Sequence, residues 1–190
     1  MTTRPTTRPT TRPTRAELAA AAGRTIPDVL APELRVLFCG INPGLWSAAT
    51  GYHFARPGNR FWPALHRGGF TARQLRPDEQ RDLLADRLGI TNLLPRATAR
   101  ADELTADELR AGGRVLAGKL RRYRPGWLAV LGVGAYRTAF GGAGATVGPQ
   151  PDRVAGVPVW VLPNPSGLNA SWPIPRLAEA FRELHRAAVD

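Results

Sequence analysis

Four short runs of consecutive apolar residues stand out along the chain: RVLFCG (35–40), GITNLL (89–94), WLAVLG (127–132) and VPVWVLP (157–163). Their apolar positions are continuous rather than alternating. Such runs are typical of strands that are buried on both faces, as in parallel sheets covered by helices. We therefore predict four buried strands.

Helical patterns lie between and after these runs. One of them opens with a capping box, in which Thr105 is followed three residues later by Glu108, and it stops before Pro125. Strands that alternate with helices predict an α/β fold, here a three-layer α/β/α sandwich with a mostly parallel four-stranded central sheet. The predicted helices begin at Asn59, Pro77, Thr105 and about Ile174.

The N-terminal segment differs from the rest of the chain. The tetrapeptide TTRP occurs three times within residues 2–13, and a proline at every fourth position excludes a helix there. We predict a disordered basic tail over residues 1–24, with a short helix at 15–22 as an option, and a single domain over residues 25–190. The tail could add phosphate affinity, and a low-complexity extension without that role is the alternative.

Length and composition fit one globular domain, with 190 residues and 43% apolar content. No apolar run is long enough to cross a bilayer and no secretory signal is evident, so we expect a cytoplasmic protein without a membrane partner. The single cysteine, Cys39, excludes an internal disulfide, and the three histidines lack metal-ligand spacing. We expect no metal, no cofactor and a monomer.

The charge balance points to a polyanionic partner. Lysine and arginine together number 26 against 15 acidic residues, which gives a net charge of +11. A GC-rich genome would explain why nearly all of these are arginines, but it would not explain the excess of basic residues. Nucleic acid is therefore the favoured partner.

Two polar loops follow predicted strands. The segment GINPGLWSAATGYHF (40–54) has too many glycines for a helix and too few alternating apolar residues for a strand, and it follows the first strand directly. NPSGLN (164–169) follows the last strand. Open α/β sheets bind their ligands at the carboxyl ends of strands, so these loops are the predicted functional site.

The same loops carry a family resemblance. GINPG (40–44), FARPGNRFW (54–62) and LPNPSGLN (162–169) resemble motifs of the mismatch-specific uracil and thymine DNA glycosylases, the second family of the uracil-DNA glycosylase superfamily. The resemblance runs from about residue 26 to the C-terminus. It implies a uracil-DNA glycosylase-like fold and double-stranded DNA with a G·U or G·T mismatch as partner. The implied reaction is hydrolysis of the bond between the base and C1′ of a flipped-out nucleotide, which leaves an abasic site.

Asn42 is the catalytic residue that the resemblance implies. A neutral carboxamide can accept a hydrogen bond from water and aim it, but it cannot take up a proton as a carboxylate does. The competing interpretation is that Asn42 only opens a turn before Pro43. The first family has a bulky tyrosine at the position of Gly44, so selectivity against thymine should be weak here. Base reading is expected from main-chain groups around Ile41.

Three further residues are expected to contact the base. Phe54 should stack on it, with a core phenylalanine as the competing interpretation. Asn164 occupies the position of a histidine in the first family, and its amide N–H could stabilise charge on a pyrimidine carbonyl. Asn92 matches an asparagine of the thymine-removing eukaryotic branch, and we expect it near the pocket.

The second loop should hold the duplex open. Leu168 is expected to enter the vacated stack as an apolar wedge, with a buried leucine as the competing interpretation. Gly167 and Asn169 would offer main-chain groups to the guanine left behind. Ser166 and Ser47 are expected to hold a phosphate, with a loop-shaping hydrogen bond as an equal option for Ser166.

Two alternatives to this function remain open at this stage. The protein could bind mismatches or lesions with little turnover, or it could act mainly on hypoxanthine, xanthine or an alkylated cytosine. Trp46 and Ala170 depart from the family pattern and affect the expected substrate range. Because the sole lysine, Lys119, lies far in sequence from both loops, we expect a monofunctional enzyme that forms no Schiff base.

Overall fold

A computed structural model of the chain describes residues 12–189. A five-stranded sheet runs through its centre in the order β2-β1-β3-β5-β4. Four strands are parallel, and β4 runs antiparallel to β5. The strands are β1 (Val36–Gly40), β2 (Leu88–Asn92), β3 (Trp127–Leu131), β4 (Gly148–Val154) and β5 (Val157–Leu162).

Helices cover both faces of this sheet. The α-helices are α1 (Arg15–Ala20), α2 (Leu45–Thr50), α3 (Phe61–Arg67), α4 (Ala106–Tyr123), α5 (Val133–Phe140) and α6 (Ile174–Val189), and two 3-10 helices span Pro77–Asp86 and Ala101–Glu103. No helix within residues 12–189 is long and apolar enough to cross a membrane.

Strand β1 shows how the layers pack. Every residue of it is buried, and its side chains alternate between the two helical layers. Phe38 packs with Phe61 of α3 and Phe181 of α6. Leu37 belongs to the other apolar cluster, which includes Leu116 of α4. The predicted three-layer α/β/α sandwich is therefore confirmed.

The predicted strands are all present, but the sheet has one more. Strand β4 has the sequence GPQPDRV and is mostly exposed, so it lacks the apolar run that marked the others. It lies at the edge of the sheet, where prolines and charges are tolerated because one side of the strand needs no hydrogen-bond partner. The prediction of four strands was wrong for this reason.

Three helical assignments also change. The segment 40–54 contains helix α2, although its glycines predicted otherwise, because Gly44 and Gly51 stand at its two caps rather than inside it. Gly51 has φ 82°, a conformation that favours glycine at a helix end. The helix predicted from Pro77 is a 3-10 helix, and the short helix α5 was not predicted at all.

The folded part begins before residue 25. Helix α1 has a capping box at Thr14, and Ala21 is fully buried in a small cluster with Ile26, Ala48 and Ala97. The boundary predicted at residue 25 therefore moves toward the N-terminus. The remainder of the predicted tail, residues 1–11, lies outside the described residues.

Candidate functional site

The carboxyl ends of the parallel strands open into one cavity of about 180 Å³. Gly40 ends β1, Asn92 ends β2 and Leu131 ends β3, and all three line it. The cavity thus lies where the sequence predicted the site. Its other lining residues come mainly from the two predicted loops and from residues 98–101.

Neutral amides are the most frequent polar side chains in this cavity. The chain has five asparagines, and four of them line it: Asn42, Asn59, Asn92 and Asn164. Its lining includes two arginines and one histidine but no aspartate or glutamate. Within the described residues, therefore, the cavity offers no carboxylate that could act as a general base.

The carboxamide of Asn42 is held in one orientation. Its Nδ2 donates to the carbonyl oxygen of Arg96 at 2.9 Å and to Oγ1 of Thr98 at 2.8 Å. The Thr98 hydroxyl donates its own hydrogen to the carbonyl of Arg100 at 2.7 Å, so it can only accept from Asn42. Both partners require the NH₂ group, and Oδ1 is left as the acceptor that Asn42 can offer to water.

The segment that supports Asn42 is itself anchored. The N–H of Thr98 donates to the carbonyl of Pro43 at 3.2 Å. The guanidinium of Arg96 pairs with Glu108 of α4 at 2.7 Å. Asn42 is therefore tied through neighbouring main chain to the start of a long helix.

Phe54 lies against the core and also lines the cavity. Its ring stacks on Phe61 with centroids 4.1 Å apart, so only the other face is open to a base. Phe54 has φ 53°, in the left-handed region that is uncommon for residues other than glycine. Such conformations cluster at binding sites. Phe54 therefore packs on the core and lines the cavity as well, while its stacking on a base stays a prediction.

Asn92 and His53 form a buried pair beside this ring. Nε2 of His53 lies 2.9 Å from the carbonyl of Pro27 and must donate to it, so Nδ1 is the acceptor in the neutral ring. Nδ2 of Asn92 lies 3.4 Å from that Nδ1. Burial lowers the pKa of His53 below its usual value, which favours this neutral form.

Gly40 makes room for that pair. A Cβ at position 40 would overlap Oδ1 of Asn92 and would touch the Phe54 ring. The amide oxygen of Asn92 therefore lies at the end of β1, beside the predicted base-stacking ring. The sequence prediction that Asn92 lies near the pocket agrees with this geometry.

Gly44 and Ile41 line the cavity near Asn42. A Cβ on Gly44 would meet no atom within 4 Å, so no wall stands at this position. The carbonyl of Ile41 accepts from the N–H of Leu94 at 3.0 Å. Ile41 can therefore offer its N–H and the second lone pair of its carbonyl oxygen to base reading.

Asn164 has its amide oxygen committed to the loop. Oδ1 accepts from the N–H of Ser166 at 2.9 Å, and the Asn164 carbonyl accepts from Nδ2 of Asn169 at 3.1 Å. Because Ser166 N–H can only donate, the oxygen must face it and Nδ2 of Asn164 faces elsewhere. This orientation fits the predicted donor role.

The second loop presents Leu168 to solvent. Its side chain is 78% exposed, which is unusual for a leucine and agrees with the predicted wedge rather than with a buried residue. A second cavity lies beside Leu168, and it shares Arg56, Asn59 and Ser166 with the first. Asn42 and Leu168 therefore face the same side of the molecule.

Main-chain groups around Leu168 are already in use. The N–H of Asn169 donates to Ser166, and the carbonyls of Gly167 and Asn169 both accept from Arg60. Each carbonyl keeps a second lone pair for a guanine N–H. Oγ of Ser166 accepts from the N–H of Leu168 at 3.3 Å, which is the loop-shaping option.

Ser47 differs from expectation, and Trp46 lies apart from the first cavity. Ser47 is buried, and its hydroxyl accepts from the N–H of Ala55 at 3.2 Å, so its position favours shaping the loop before Phe54 over the predicted phosphate contact. Trp46 lies outside the lining of the first cavity and packs near Arg12, so it does not narrow the pocket. Ala170 is exposed.

Sequence reasoning missed Thr98, His53 and Arg60. Thr98 lies in RATAR, which has no recognisable motif. Its role becomes visible only in the fold, where the segment after β2 passes beside Asn42. His53 lies in the segment 40–54 and Arg60 in the motif 54–62, so their place in these segments could have marked them as site residues. A lone histidine in a loop gave no indication of which partner it meets.

Lys119 is paired outside the cavity. Its Nζ lies 2.6 Å from Oδ2 of Asp28 and donates to Oγ1 of Thr91 at 3.0 Å. Among residues 12–189, no group of three histidine, cysteine, aspartate or glutamate side chains is arranged to hold a metal ion. Burial raises the pKa of the Cys39 thiol, which lies in the core of β1.

Comparison with known proteins gives a family match and matches to solved structures. The model of the family described as Uracil DNA glycosylase superfamily matches residues 27–185. The solution NMR structure of a Methanosarcina acetivorans protein, described as a "putative Uracil DNA glycosylase", is similar with a TM-score of 0.54 and 20% sequence identity. The match covers 86% of this chain and 98% of that one, and at this identity it shows the fold alone.

Proposed function

Because the chain belongs to the uracil DNA glycosylase superfamily, we propose that it hydrolyses the bond between uracil and deoxyribose at G·U mismatches in double-stranded DNA. The superfamily supports the general DNA glycosylase role. The mismatch preference rests on the motif resemblance and on the loop around Leu168. The net charge of +11 fits a DNA partner.

The observation that carries the proposal is the orientation of Asn42. With both N–H groups bound to Arg96 and Thr98, Oδ1 accepts a hydrogen bond from water and directs its oxygen at C1′. A bond forms from that oxygen to C1′ as the bond from C1′ to N1 of the base breaks. Uracil departs with the electron pair, and the water proton goes to solvent or to the base, because an amide does not take it up.

The rest of the cavity would bind the base as it gains charge. Nδ2 of Asn164 donates to a pyrimidine carbonyl, which stabilises the departing anion. The free face of Phe54 stacks on the ring. Oδ1 of Asn92 is an acceptor for a base N–H, since its Nδ2 is engaged by His53.

Leu168 would keep the duplex open by filling the gap left by the flipped nucleotide. The exposed Arg56 and Arg100 at the mouth of the cavity are suited to the flanking phosphates. The Lys119 amine is occupied by Asp28, which favours a monofunctional glycosylase that leaves an abasic site.

The empty space at Gly44 favours a wider substrate range as a second candidate. A methyl or larger group at C5 of the pyrimidine would meet no side chain there, so G·T mismatches and alkylated cytosine become candidate substrates. Duplexes with hypoxanthine or xanthine test whether the cavity also accepts purines. Binding without turnover is the further alternative.

A panel of labelled duplexes tests the proposal. Wild-type protein is incubated with G·U, A·U, G·T, G·hypoxanthine, G·xanthine and G·alkylcytosine duplexes, and alkali then reveals abasic sites. We expect cleavage at uracil opposite guanine first, and little with Asn42→Ala. Intact DNA after long incubation with excess protein would eliminate the enzyme, and tight G·U binding without base release would support the binder instead.

A further inference from the structure

One arginine ties the loop that carries Leu168 to the body of the domain. Nη1 of Arg60 donates to the carbonyl oxygens of Asn169 and Trp172, both at 2.8 Å, and Nη2 donates to that of Gly167 at 2.9 Å. The main-chain N–H of Arg60 donates to the carbonyl of Pro165 at 2.9 Å. A single residue therefore contacts the loop on both sides of Leu168.

The chemistry of arginine suits this position. Its planar guanidinium presents several N–H groups in a fixed fork, whereas a lysine ammonium is one compact point of charge. Arg60 forms no ion pair with a carboxylate within the part of the chain that the structure describes. Its donors serve main-chain carbonyls instead.

The other end of Arg60 is fixed in the core. Arg60 is the N-cap of α3, and the next residue, Phe61, is fully buried and stacks on Phe54. Helix α3 packs against α6. The first residues of α3 therefore fix the position of the Phe54 ring and also that of the loop that carries Leu168.

The two segments also approach each other closely. A Cβ on Gly167 would lie 2.6 Å from the carbonyl oxygen of Gly58, which leaves no space for a side chain at that position. Leu168 itself is 78% exposed and contributes little packing to hold the loop. The hydrogen bonds from Arg60 thus replace the buried contacts that the loop lacks.

We propose that Arg60 is a positioning residue that holds the loop 164–172 in its DNA-inserting shape before DNA binds. This proposal rests on the proposed function, in which Leu168 enters the duplex. By fixing the loop, Arg60 also fixes the distance between Leu168 and Phe54. A loop that is already ordered avoids the entropy cost of ordering it when the nucleotide flips.

A double-mutant cycle tests the coupling between Arg60 and Leu168. We expect Arg60→Ala and Leu168→Ala each to lower the single-turnover rate of uracil release from G·U about tenfold, and the double variant to match Leu168→Ala alone. Arg60→Lys should be as slow as Arg60→Ala. Arg67→Ala, which removes the same charge at the other end of α3, should keep the wild-type rate. Losses that multiply, or rescue by lysine, would overturn the inference.

Hydrogen exchange of the free protein tests the same claim without any reaction. We expect Arg60→Ala to accelerate exchange of the Asn169 and Trp172 amides while the amides of β1 stay protected. Unchanged exchange in the loop overturns the inference. If wild-type protein releases no uracil, the proposed function fails while this measurement still decides the role of Arg60. Should Arg60→Ala fail to fold, Arg60→Lys carries the same exchange measurement.

Discussion

The two loops at the cavity are held in opposite ways. The loop 40–54, which carries Asn42, is the water side of the cavity. There the side chain of Asn42 is half-buried and fixed by hydrogen bonds of its own. The loop 164–172, which carries Leu168, is the wedge side. There Leu168 is exposed, and the loop is fixed through main-chain carbonyls that accept hydrogen bonds from Arg60. Changes on the water side should therefore slow bond cleavage without changing DNA binding, whereas changes on the wedge side should impair opening of the duplex.

The largest effect is expected at Asn42. Asn42→Ala removes the acceptor that aims water at C1′, and a misplaced nucleophile costs about 100-fold in rate. Single-turnover release of uracil from G·U should fall by that factor while the affinity for the duplex stays the same. Gln74→Ala, an exposed carboxamide outside the cavity lining, is the matched control. If Asn42→Ala also weakened binding to the duplex, Asn42 would contribute to DNA binding and not only to bond cleavage.

The next effect is expected at the wedge. Leu168→Ala should lower the rate on the G·U duplex about tenfold, because the emptied stack closes again. Uracil in a single strand needs no wedge, and its release should change little. Val115→Ala, which truncates another exposed apolar side chain on α4, serves as control. Equal losses on single and double strands would mean that Leu168 contributes to the chemistry rather than to opening.

A smaller effect is expected at Thr98. Thr98→Val keeps the shape of the side chain but removes the acceptor for Nδ2 of Asn42, at a cost of about 1 kcal/mol or roughly fivefold in rate. The pH profile should be unchanged, since no titrating group is lost. The matched control is Thr146→Val, at an exposed threonine. A wild-type rate for Thr98→Val would show that the Arg96 carbonyl alone orients Asn42.

The smallest effect is expected from His53, and it concerns stability. Burial lowers the pKa of His53 in the folded state, so the unfolded chain binds the proton more readily. Stability should be full above the unfolded pKa and fall as the pH drops through it toward the folded pKa. Melting temperatures of wild type and His53→Gln across mildly acidic pH measure this, and the variant should lose part of the dependence. His185, whose pKa burial also lowers, supplies the remainder in both proteins. Identical pH dependence in both would contradict the role of His53.

The sequence predicted the parts of the fold that apolar runs mark. The four parallel strands are buried on both faces, so their composition is continuous and easily recognised. Strand β4 pairs on one side only, and its Gly, Pro and Asp residues are typical of a loop. Helix α2 was missed because glycines at both caps resemble glycines that break a helix.

The site shows the same division. Asn42, Phe54 and Leu168 lie in motifs that the sequence carries intact, and the structure brings them to one face. The partners that orient them are distant in sequence: Thr98 lies 56 residues from Asn42, and the loop carbonyls lie more than 100 residues from Arg60. Contacts of this kind leave no local pattern, because one hydroxyl or one carbonyl is enough to make them.

The most direct test is a structure of the protein bound to a G·U duplex in which fluorine at C2′ of the deoxyuridine slows hydrolysis. The account predicts uracil against the free face of Phe54, Leu168 inside the vacated stack, and a water bound to Oδ1 of Asn42 in line with C1′. A uracil that remains stacked in the duplex while Leu168 faces solvent would contradict it.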